Sequence, residues 1–314
     1  AAHDAQRHNR RFEDALRRFE NLSKIKNTLE LAQPRLAKSI TEFDTDPMLF
    51  AAGNTWIDLK TGQPVTPQAN TLVSLQSSVR YDPKADCPVF KSFLNEIFLY
   101  NDALVKFVQR TVGYSLPGRI EEQCLFIFNG DGANGKSTLV NTITKLLGGY
   151  SKTAPEQTLL ANQRTGVGDD LAYLQGARFI SVSEIDEGQA LAEAKVKRIT
   201  GGDDIAGRAL YSLYGSLNIV GKIVIATNNL PKINGKDHGI YRRLQIVPFQ
   251  RRVEAHEQDK TFADKLEAEL SGILNWAIRG CLDWQEQGLN PPQIVKDQLD
   301  HYQQDMDTVA KFVD

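Results

Sequence analysis

The sequence predicts an α/β protein built on a parallel sheet, with a mostly helical region before the sheet and a helical segment after it. Short apolar runs alternate with helix-like segments between residues 120 and 250, and a glycine-rich loop joins one run to a helix. Both flanks repeat their apolar residues at helical spacing. We therefore expect three parts, namely 1–119, 120–250 and 251–314. The strand candidates are 124–129, 178–183, 221–227 and 244–248.

The part before the sheet is predicted to combine helices with a small hairpin unit. Residues 1–45 are predicted to be helical, and their arginines form either a solvated helix face or a collar that contacts DNA or other subunits. Residues 48–80 contain short β-type runs around a turn at Lys60–Gly62, with a further run at Thr71–Leu75. Residues 90–112 return to helical spacing.

The part after the sheet is predicted to be helical. Residues 258–287 indicate one long helix or a helix pair, and another helix is expected from Gln293 onward. The chain does not begin with Met, and an amphipathic pattern continues to Asp314. We therefore expect a fragment of a longer protein.

Composition excludes several classes of protein. The chain has 314 residues and a formal net charge of −2, so any contact with nucleic acid must come from a local basic patch. Its three cysteines are too scattered for a disulfide framework or a metal cluster, which fits a reducing cytoplasm. No apolar run reaches transmembrane length, and no signal peptide is apparent, so we expect no membrane partner.

The strongest chemical signal is the stretch FNGDGANGKST, which matches the phosphate-loop pattern G-x-x-x-x-G-K-[ST]. A strand-like run leads into it, and a helix-like run leads out. Lys136 is expected to reach the β- and γ-phosphates of a nucleoside triphosphate, and the hydroxyl of Ser137 is expected to bind Mg²⁺. The alternative, a glycine-rich turn before an ordinary helix, explains neither the spacing nor the flanks. The predicted nucleotide-binding residues are Gly130, Gly132, Ala133, Asn134, Gly135, Lys136, Ser137 and Thr138.

Carboxylates follow a second predicted strand. Glu184 stands at the end of the run Phe179–Val182, and Asp186 comes just beyond it. Carboxyl ends of parallel strands share one edge of a sheet, so these groups should face the phosphate loop. We assign Glu184 to the activation of water and to Mg²⁺, with Asp186 as the second choice. The alternative is a solvated acidic turn.

Amide and guanidinium groups flank the last two predicted strands. Asn228 follows one strand and is expected to orient water or sense the γ-phosphate, whereas Asn229 is the better turn residue. Arg242 and Arg243 precede the final strand. Guanidinium groups stabilise a transferring phosphoryl group and can be supplied by a neighbouring subunit. The alternatives are an ordinary Asn-Asn turn and two surface arginines.

A hairpin is predicted between these motifs, at Ala209–Val220. Its tyrosines are suited to stacking on bases or sugars, and nearby basic residues are suited to phosphates. The alternative is a structural hairpin with solvated charges. The candidate DNA-binding residues are Lys197, Arg198, Arg208, Tyr211, Tyr214 and Lys222.

Five motifs in a fixed order give the chain a family resemblance over roughly residues 45–250. They read GDGANGKST, GARFISVSEIDEG, KRITGGDDIAGR, ATNNLP and YRRLQIVPF. The chain resembles a superfamily 3 helicase of the AAA+ class, and more narrowly the phage/plasmid and poxvirus primase-helicase family. The upstream stretches GNTWIDLKTG, VRYDPKADCPVFKSFL and VGYSL resemble the region that precedes the ATPase in that family.

The resemblance implies a hexameric ring around single-stranded DNA, with ATP bound between subunits. It implies that Lys136 and Ser137 are the phosphate-loop pair, that Glu184 is the Walker B acid and that Asn228 is the sensor. The pair Arg242/Arg243 matches the arginine that acts in trans. A primase domain or replication proteins are the further partners implied, in the cytoplasm of a bacterial or virus-infected cell. Two features depart from the family pattern: the acidic motif reads SEID, and the hairpin lacks a Lys-His tip.

Three functions remain as hypotheses. The first is an ATP-dependent helicase of phage, plasmid or mobile-element replication that translocates on single-stranded DNA. The second is a nucleotide-binding, ring-forming origin or DNA scaffold with little hydrolysis, which an intact Glu184, Asn228 and Arg243 disfavour. The third is a small-molecule phosphotransferase, which is disfavoured because no lid-like Arg-rich insertion is visible.

Overall fold

The computed structural model describes residues 21–68, 70–161, 169–182, 184–203, 205–207, 215–217, 219–235 and 238–306. The chain divides into two compact units, Ala1–Thr45 and Asp46–Asp314. In the first unit, helix α1 spans Leu22–Leu36 and begins at Asn21, whose side-chain oxygen accepts a hydrogen bond from the backbone of Ser23 at 3.0 Å. The helical prediction is confirmed for this stretch. The arginines of the predicted collar lie outside the described residues.

The second unit opens with a small antiparallel sheet. Its strands are β1 (Leu49–Ala51), β2 (Trp56–Asp58) and β3 (Gln63–Val65). The predicted turn between the last two is confirmed, and Gly62 adopts a φ of +70° there. The predicted run at 71–75 forms only a single bridge residue and no strand.

Two helices follow where one continuous helical region was predicted. They are α2 (Pro88–Ile97) and α3 (Asp102–Tyr114). The chain breaks between them because Leu99 and Tyr100 take positive φ values, 52° and 57°. Asn101 then starts the second helix, since its side-chain oxygen accepts from the backbone of Leu104 at 3.1 Å.

The central sheet has five parallel strands, which confirms the α/β prediction. The elements in chain order are β4 (Leu125–Asn129), α4 (Lys136–Leu147), β5 (Ser151–Ala154), α5 (Asp169–Tyr173), β6 (Phe179–Val182), α6 (Glu193–Gly201), β7 (Ile205–Gly207), β8 (Gly215–Leu217), β9 (Lys222–Thr227), α7 (His238–Tyr241) and β10 (Leu244–Pro248). Within the sheet the order is β10-β4-β9-β6-β5. All four predicted strands are present. Sequence reasoning missed β5 because it is short, largely polar and at the sheet edge.

The predicted hairpin is present but begins earlier in the chain than expected. Strands β7 and β8 pair antiparallel, with Gly207 opposite Gly215. The connecting residues 208–214 lie outside the described residues.

Three helices complete the second unit: α8 (Phe262–Ala268), α9 (Leu270–Gln287) and α10 (Gln293–Met306). The helix-pair alternative is therefore the correct one for 258–287. Side chains alternate along each strand, so the sheet contributes to two hydrophobic clusters. Helices from both flanks share one of these clusters with the sheet, so the predicted boundaries at 120 and 250 stay predictions. None of the helices in the described part of the chain combines the length and hydropathy that a membrane-spanning helix requires.

Candidate functional site

The glycine-rich loop leaves β4 at the carboxyl edge of the sheet and enters α4. Gly135 precedes the helix with a φ of +85°, and a Cβ there would lie 2.8 Å from Cγ2 of Ile97. A Cβ on Gly130 would lie 2.2 Å from the carbonyl oxygen of Phe249. These two motif glycines are therefore required by close packing. A Cβ on Gly132 would meet no atom within 4 Å, so packing does not require a glycine there.

Internal hydrogen bonds fix the shape of the loop. The buried Asn134 donates through Nδ2 to the carbonyl oxygens of Asp131 and, at 3.4 Å, of Phe249. The backbone N–H of Val253 donates to the carbonyl oxygen of Ala133 at 2.6 Å. The side chain of Asn134 thus supports the loop from within, so its predicted contact with a nucleotide would have to come from its backbone.

Lys136 lies at the centre of the site and is only 5% exposed. Its Nζ donates to the carbonyl oxygens of Gly130 and, at 3.2 Å, of Asp131, and to Oδ1 of Asn228 at 3.0 Å. Burial lowers the pKa of Lys136 from its ordinary value, and the nearby charges of Glu184 and Asp131 act in the opposite direction. The structure therefore brings together the predicted lysine and the predicted sensor asparagine.

Asn228 is held at this edge by neighbours that sequence reasoning missed. Nδ2 of Asn129 donates to the carbonyl oxygen of Asn228 at 3.1 Å. The buried Thr227 donates through Oγ1 to the carbonyl oxygens of Ile185, at 3.3 Å, and Asn229, at 2.9 Å. A polar residue that ends an otherwise apolar strand was the available signal for both Asn129 and Thr227. The backbone of Asn229 also takes the predicted turn role, since its N–H donates back to Oγ1 of Thr227 at 3.2 Å.

Glu184 follows β6 at the same edge of the sheet and is exposed. It is close enough to act on the charge of Lys136. Asp186 and Ser137 are also exposed. In the described residues no group of three or more acidic, histidine or cysteine side chains forms a metal cage. A hydroxyl and a single carboxylate nonetheless suit Mg²⁺, which usually keeps several waters and binds with substrate phosphates.

Two cavities flank the loop. The cavity beside its end, near Gly135 and Thr138, has a volume of about 350 Å³. Its lining combines an apolar wall with charged residues, namely Glu96, Arg251, Glu257 and Asp259. In that wall the rings of Phe93 and Phe262 lie 5.4 Å apart. The cavity beside the start of the loop has a volume of about 310 Å³ and a more polar lining. Its lining includes Gly130, Asp131, Gly132, Gln250, Arg251 and Arg252.

Arg242 and Arg243 lie at the opposite edge of the sheet from the loop. Leu244 begins β10 opposite Leu125, so the five residues of the strand separate the arginines from the level of the loop by about 16 Å. Arg243 is half-buried and donates to Oγ1 of Thr200 at 3.2 Å and to the carbonyl oxygen of Gly239 at 2.7 Å. Arg242 is exposed. The structure therefore does not bring either arginine to the loop of its own chain.

The candidate DNA contacts have different outcomes. Lys222 is 2% exposed, and its Nζ donates to the carbonyl oxygens of Pro117 and, at 3.1 Å, of Arg119. It also lies 4.8 Å from the ring centre of Tyr114. The prediction that Lys222 contacts DNA is wrong, because the ammonium is buried and already bonded. On α6, Arg198 is exposed and Lys197 half-buried, whereas Arg208, Tyr211 and Tyr214 lie outside the described residues.

Two protein-family models match this chain. The model described as "D5 N terminal like" matches residues 1–99. The model described as "Family of unknown function (DUF5906)" matches residues 128–243, which include the phosphate loop and the other polar residues of the edge. The first match extends the resemblance noted in the sequence to the beginning of the chain.

Several viral proteins are similar in sequence. A protein named as a putative helicase in Acanthamoeba polyphaga mimivirus is 24% identical over 87% of this chain and 31% of its own length. One named as a putative helicase in Frog virus 3 is 24% identical over 46% of this chain and 16% of its own length. One named as a putative primase in African swine fever virus is 23% identical over 66% of this chain and 22% of its own length. The chain thus spans less than a third of each relative.

Solved structures of the NrS-1 C-terminal region share the fold. One apo structure superimposes with a TM-score of 0.55 at 11% identity, covering 82% of this chain and 62% of that one. A second gives a TM-score of 0.54 at 12% identity, covering 80% and 59%. Taken with the ordered motifs, the family-model match and the viral relatives support the resemblance of this chain to the phage and viral primase-helicase family.

Proposed function

We propose that this chain is the motor part of a replicative DNA helicase, an AAA+ ATPase of superfamily 3 that hydrolyses ATP and translocates on single-stranded DNA. The observation that carries the proposal is the hydrogen bond between Nζ of Lys136 and Oδ1 of Asn228 at 3.0 Å. It joins the phosphate loop to a neighbouring strand whose end can report whether a phosphate is present. The names of the viral relatives support a role in replication.

The two cavities give the nucleotide a direction. Aromatic and aliphatic walls suit a nucleoside, so the cavity beside Gly135 and Thr138 would receive the base and ribose. The backbone N–H groups of the loop and the start of α4 would hold the phosphates. Ser137 and Glu184 would hold Mg²⁺, which neutralises phosphate charge when bound.

Each polar side chain of the edge then has a task. Lys136 places a positive charge against the β- and γ-phosphates, for which it must exchange its present contacts with loop carbonyls. Asn228 keeps the attacking water in line, and Asn129 fixes its backbone. Glu184 accepts the proton of that water. Because Asn228 already bonds to Lys136, a change at the phosphates would reach β9 directly.

The positions of the arginines support a shared site in an assembly of copies. Neither arginine can reach the loop of its own chain, and Arg243 is engaged by Thr200 and Gly239. We assign the trans-acting guanidinium to the exposed Arg242, supplied to the loop of the adjacent copy in a hexameric ring. The hairpin of β7 and β8, with Arg198 on α6, would face the DNA.

The test measures phosphate release with and without single-stranded DNA, together with solution mass in ATP. We expect DNA to raise turnover, and Glu184→Gln to reduce it by more than about 100-fold while ATP binding is kept. Arg242→Ala should also lose turnover, whereas Arg279→Ala, an exposed arginine on α9, should not. Equal turnover in the wild type and Glu184→Gln would favour the nucleotide-binding scaffold instead.

A further inference from the structure

We propose that Arg252 senses the terminal phosphate of the nucleotide bound to its own chain. The inference rests on the proposed function, because it takes the ligand of the phosphate loop to be a nucleoside triphosphate. It adds a same-chain arginine to a site whose other arginine would come from a neighbour.

The segment that carries Arg252 is fastened along the phosphate loop. It leaves β10, which pairs with β4 so that Pro248 lies opposite Asn129. The N–H of Phe249 donates to the carbonyl oxygen of Asn129 at 2.7 Å, at the beginning of the segment. The N–H of Val253 donates to the carbonyl oxygen of Ala133 at 2.6 Å, directly after Arg252. Residues 249–253 therefore form a strap with both ends bonded to the loop or to the strand before it.

Two adjacent arginines on the strap have different surroundings. Arg251 forms an ion pair with Glu257 at 2.6 Å. The pKa of Glu257 is lowered first by a hydrogen bond from the backbone N–H of Glu254 and second by its hydrogen bond with Arg251. Arg252 is exposed, and no hydrogen bond or ion pair engages its guanidinium in the described part of the chain. It lines the cavity at the start of the loop together with Gly130 and Gly132.

Chemistry and direction make a phosphate the expected ligand. The nucleoside is assigned to the apolar cavity at the end of the loop, so the phosphate chain runs toward its start. A guanidinium forms bidentate hydrogen bonds with phosphate oxygens, and the open position at Gly132 leaves room for them. Asp131 is exposed and also lines this cavity, and its negative charge, which would oppose a phosphate, would be balanced by Arg252. A diphosphate would leave Arg252 without a partner.

The test measures the affinities of the protein for fluorescent analogues of ATP and ADP at a concentration where it is a single copy. We expect Arg252→Ala to weaken triphosphate binding by about 10-fold or more and to leave diphosphate binding unchanged. Arg252→Lys should recover part of the loss, and Arg279→Ala should change neither affinity. An unchanged unfolding midpoint excludes misfolding. An equal loss for both nucleotides, or no loss, would overturn the proposal.

A mixing experiment separates the same-chain role from a trans role. Copies with Arg242→Ala mixed with copies with Lys136→Ala should regain turnover, because an intact loop then meets an intact Arg242. Copies with Arg252→Ala mixed with copies with Lys136→Ala should not, when ATP is kept below the concentration that saturates the Arg252→Ala variant. Regained turnover there would overturn the same-chain assignment. If the wild type discriminates ATP from ADP through Arg252 but is not stimulated by DNA, only the helicase proposal fails.

Discussion

Two buried lysines at opposite edges of one sheet share burial and a lowered pKa but differ in what surrounds them. Lys136 and Lys222 are 5% and 2% exposed, both donate to backbone carbonyls, and burial lowers the pKa of both. Within the part of the chain that the structure describes, the hydrogen-bond acceptors of Lys222 are backbone carbonyls at the amino edge of the sheet. Lys136 also bonds a side chain, Asn228, beside a loop flanked by cavities. Burial and a lowered pKa are therefore common to both lysines, and only the surroundings of Lys136 support the proposed site.

The largest effect on turnover should come from replacing Lys136, whose ammonium group lies beside the loop. Lys136→Met removes the only lysine that contacts the loop carbonyls among the described residues, and we expect phosphate release to fall by more than about 100-fold. The free energy of unfolding should change little, because these carbonyls lie at the mouth of the site. Nucleotide turnover and urea unfolding would be measured on the same preparation. Near-normal turnover would remove Lys136 from the proposed mechanism.

The matching substitution at the other edge, Lys222→Met, should lower stability and leave nucleotide binding unchanged. Lys222→Met leaves the carbonyls of Pro117, Arg119 and Val220 without a donor, so we expect a loss of about 1–3 kcal/mol in the free energy of unfolding. Nucleotide affinity per folded molecule should be unchanged. Urea denaturation gives the first quantity, and titration with a fluorescent nucleotide gives the second. A variant that is fully stable but binds nucleotide poorly would contradict the comparison.

The difference in the free energy of unfolding between the wild type and Lys222→Met should depend on pH with a definite sign. Burial first, and then repulsion by Arg178, lowers the pKa of Lys222 well below its ordinary value of 10.5. At a pH between the lowered pKa of the folded chain and the ordinary pKa of the unfolded chain, the unfolded chain binds more protons. Folding is therefore favoured as the pH rises through this range. The wild type should therefore gain stability relative to Lys222→Met as the pH approaches 10.5. A difference that falls over this range would mean that the ammonium is the favoured buried form.

The smallest effect should come from the amide that links the loop to β9. Asn228→Ala removes one hydrogen bond to a charged group, so we expect turnover to fall by about 10-fold. Asn229→Ala is the matched control, because only the backbone of that residue is bonded to Thr227. Phosphate release under saturating ATP distinguishes the two variants. Equal losses would show that the turn, and not the amide of Asn228, matters.

Local pattern predicted the carboxyl edge better than the opposite edge. The strands could be predicted because they are apolar runs, and Lys136, Glu184 and Asn228 each follow such a run at a place where parallel strands share an edge. Lys222 misled sequence reasoning because a lysine before an apolar strand usually stays in solvent, and its burial depends on the segment 117–119 packing over it. The strap at 249–253 gave no motif, since its contacts with the loop join residues more than 100 positions apart.

The wall of the apolar cavity unites distant parts of the polypeptide. Phe93 comes from the region ahead of the sheet and Phe262 from the region behind it, and their rings meet beside Gly135. A ligand bound there would contact both flanks, so its binding would link the region ahead of the sheet to the region behind it. A minimal piece cut to residues 120–250 would keep Lys136, Glu184 and Asn228 but would lose Arg252 and the aromatic lining proposed to hold the base.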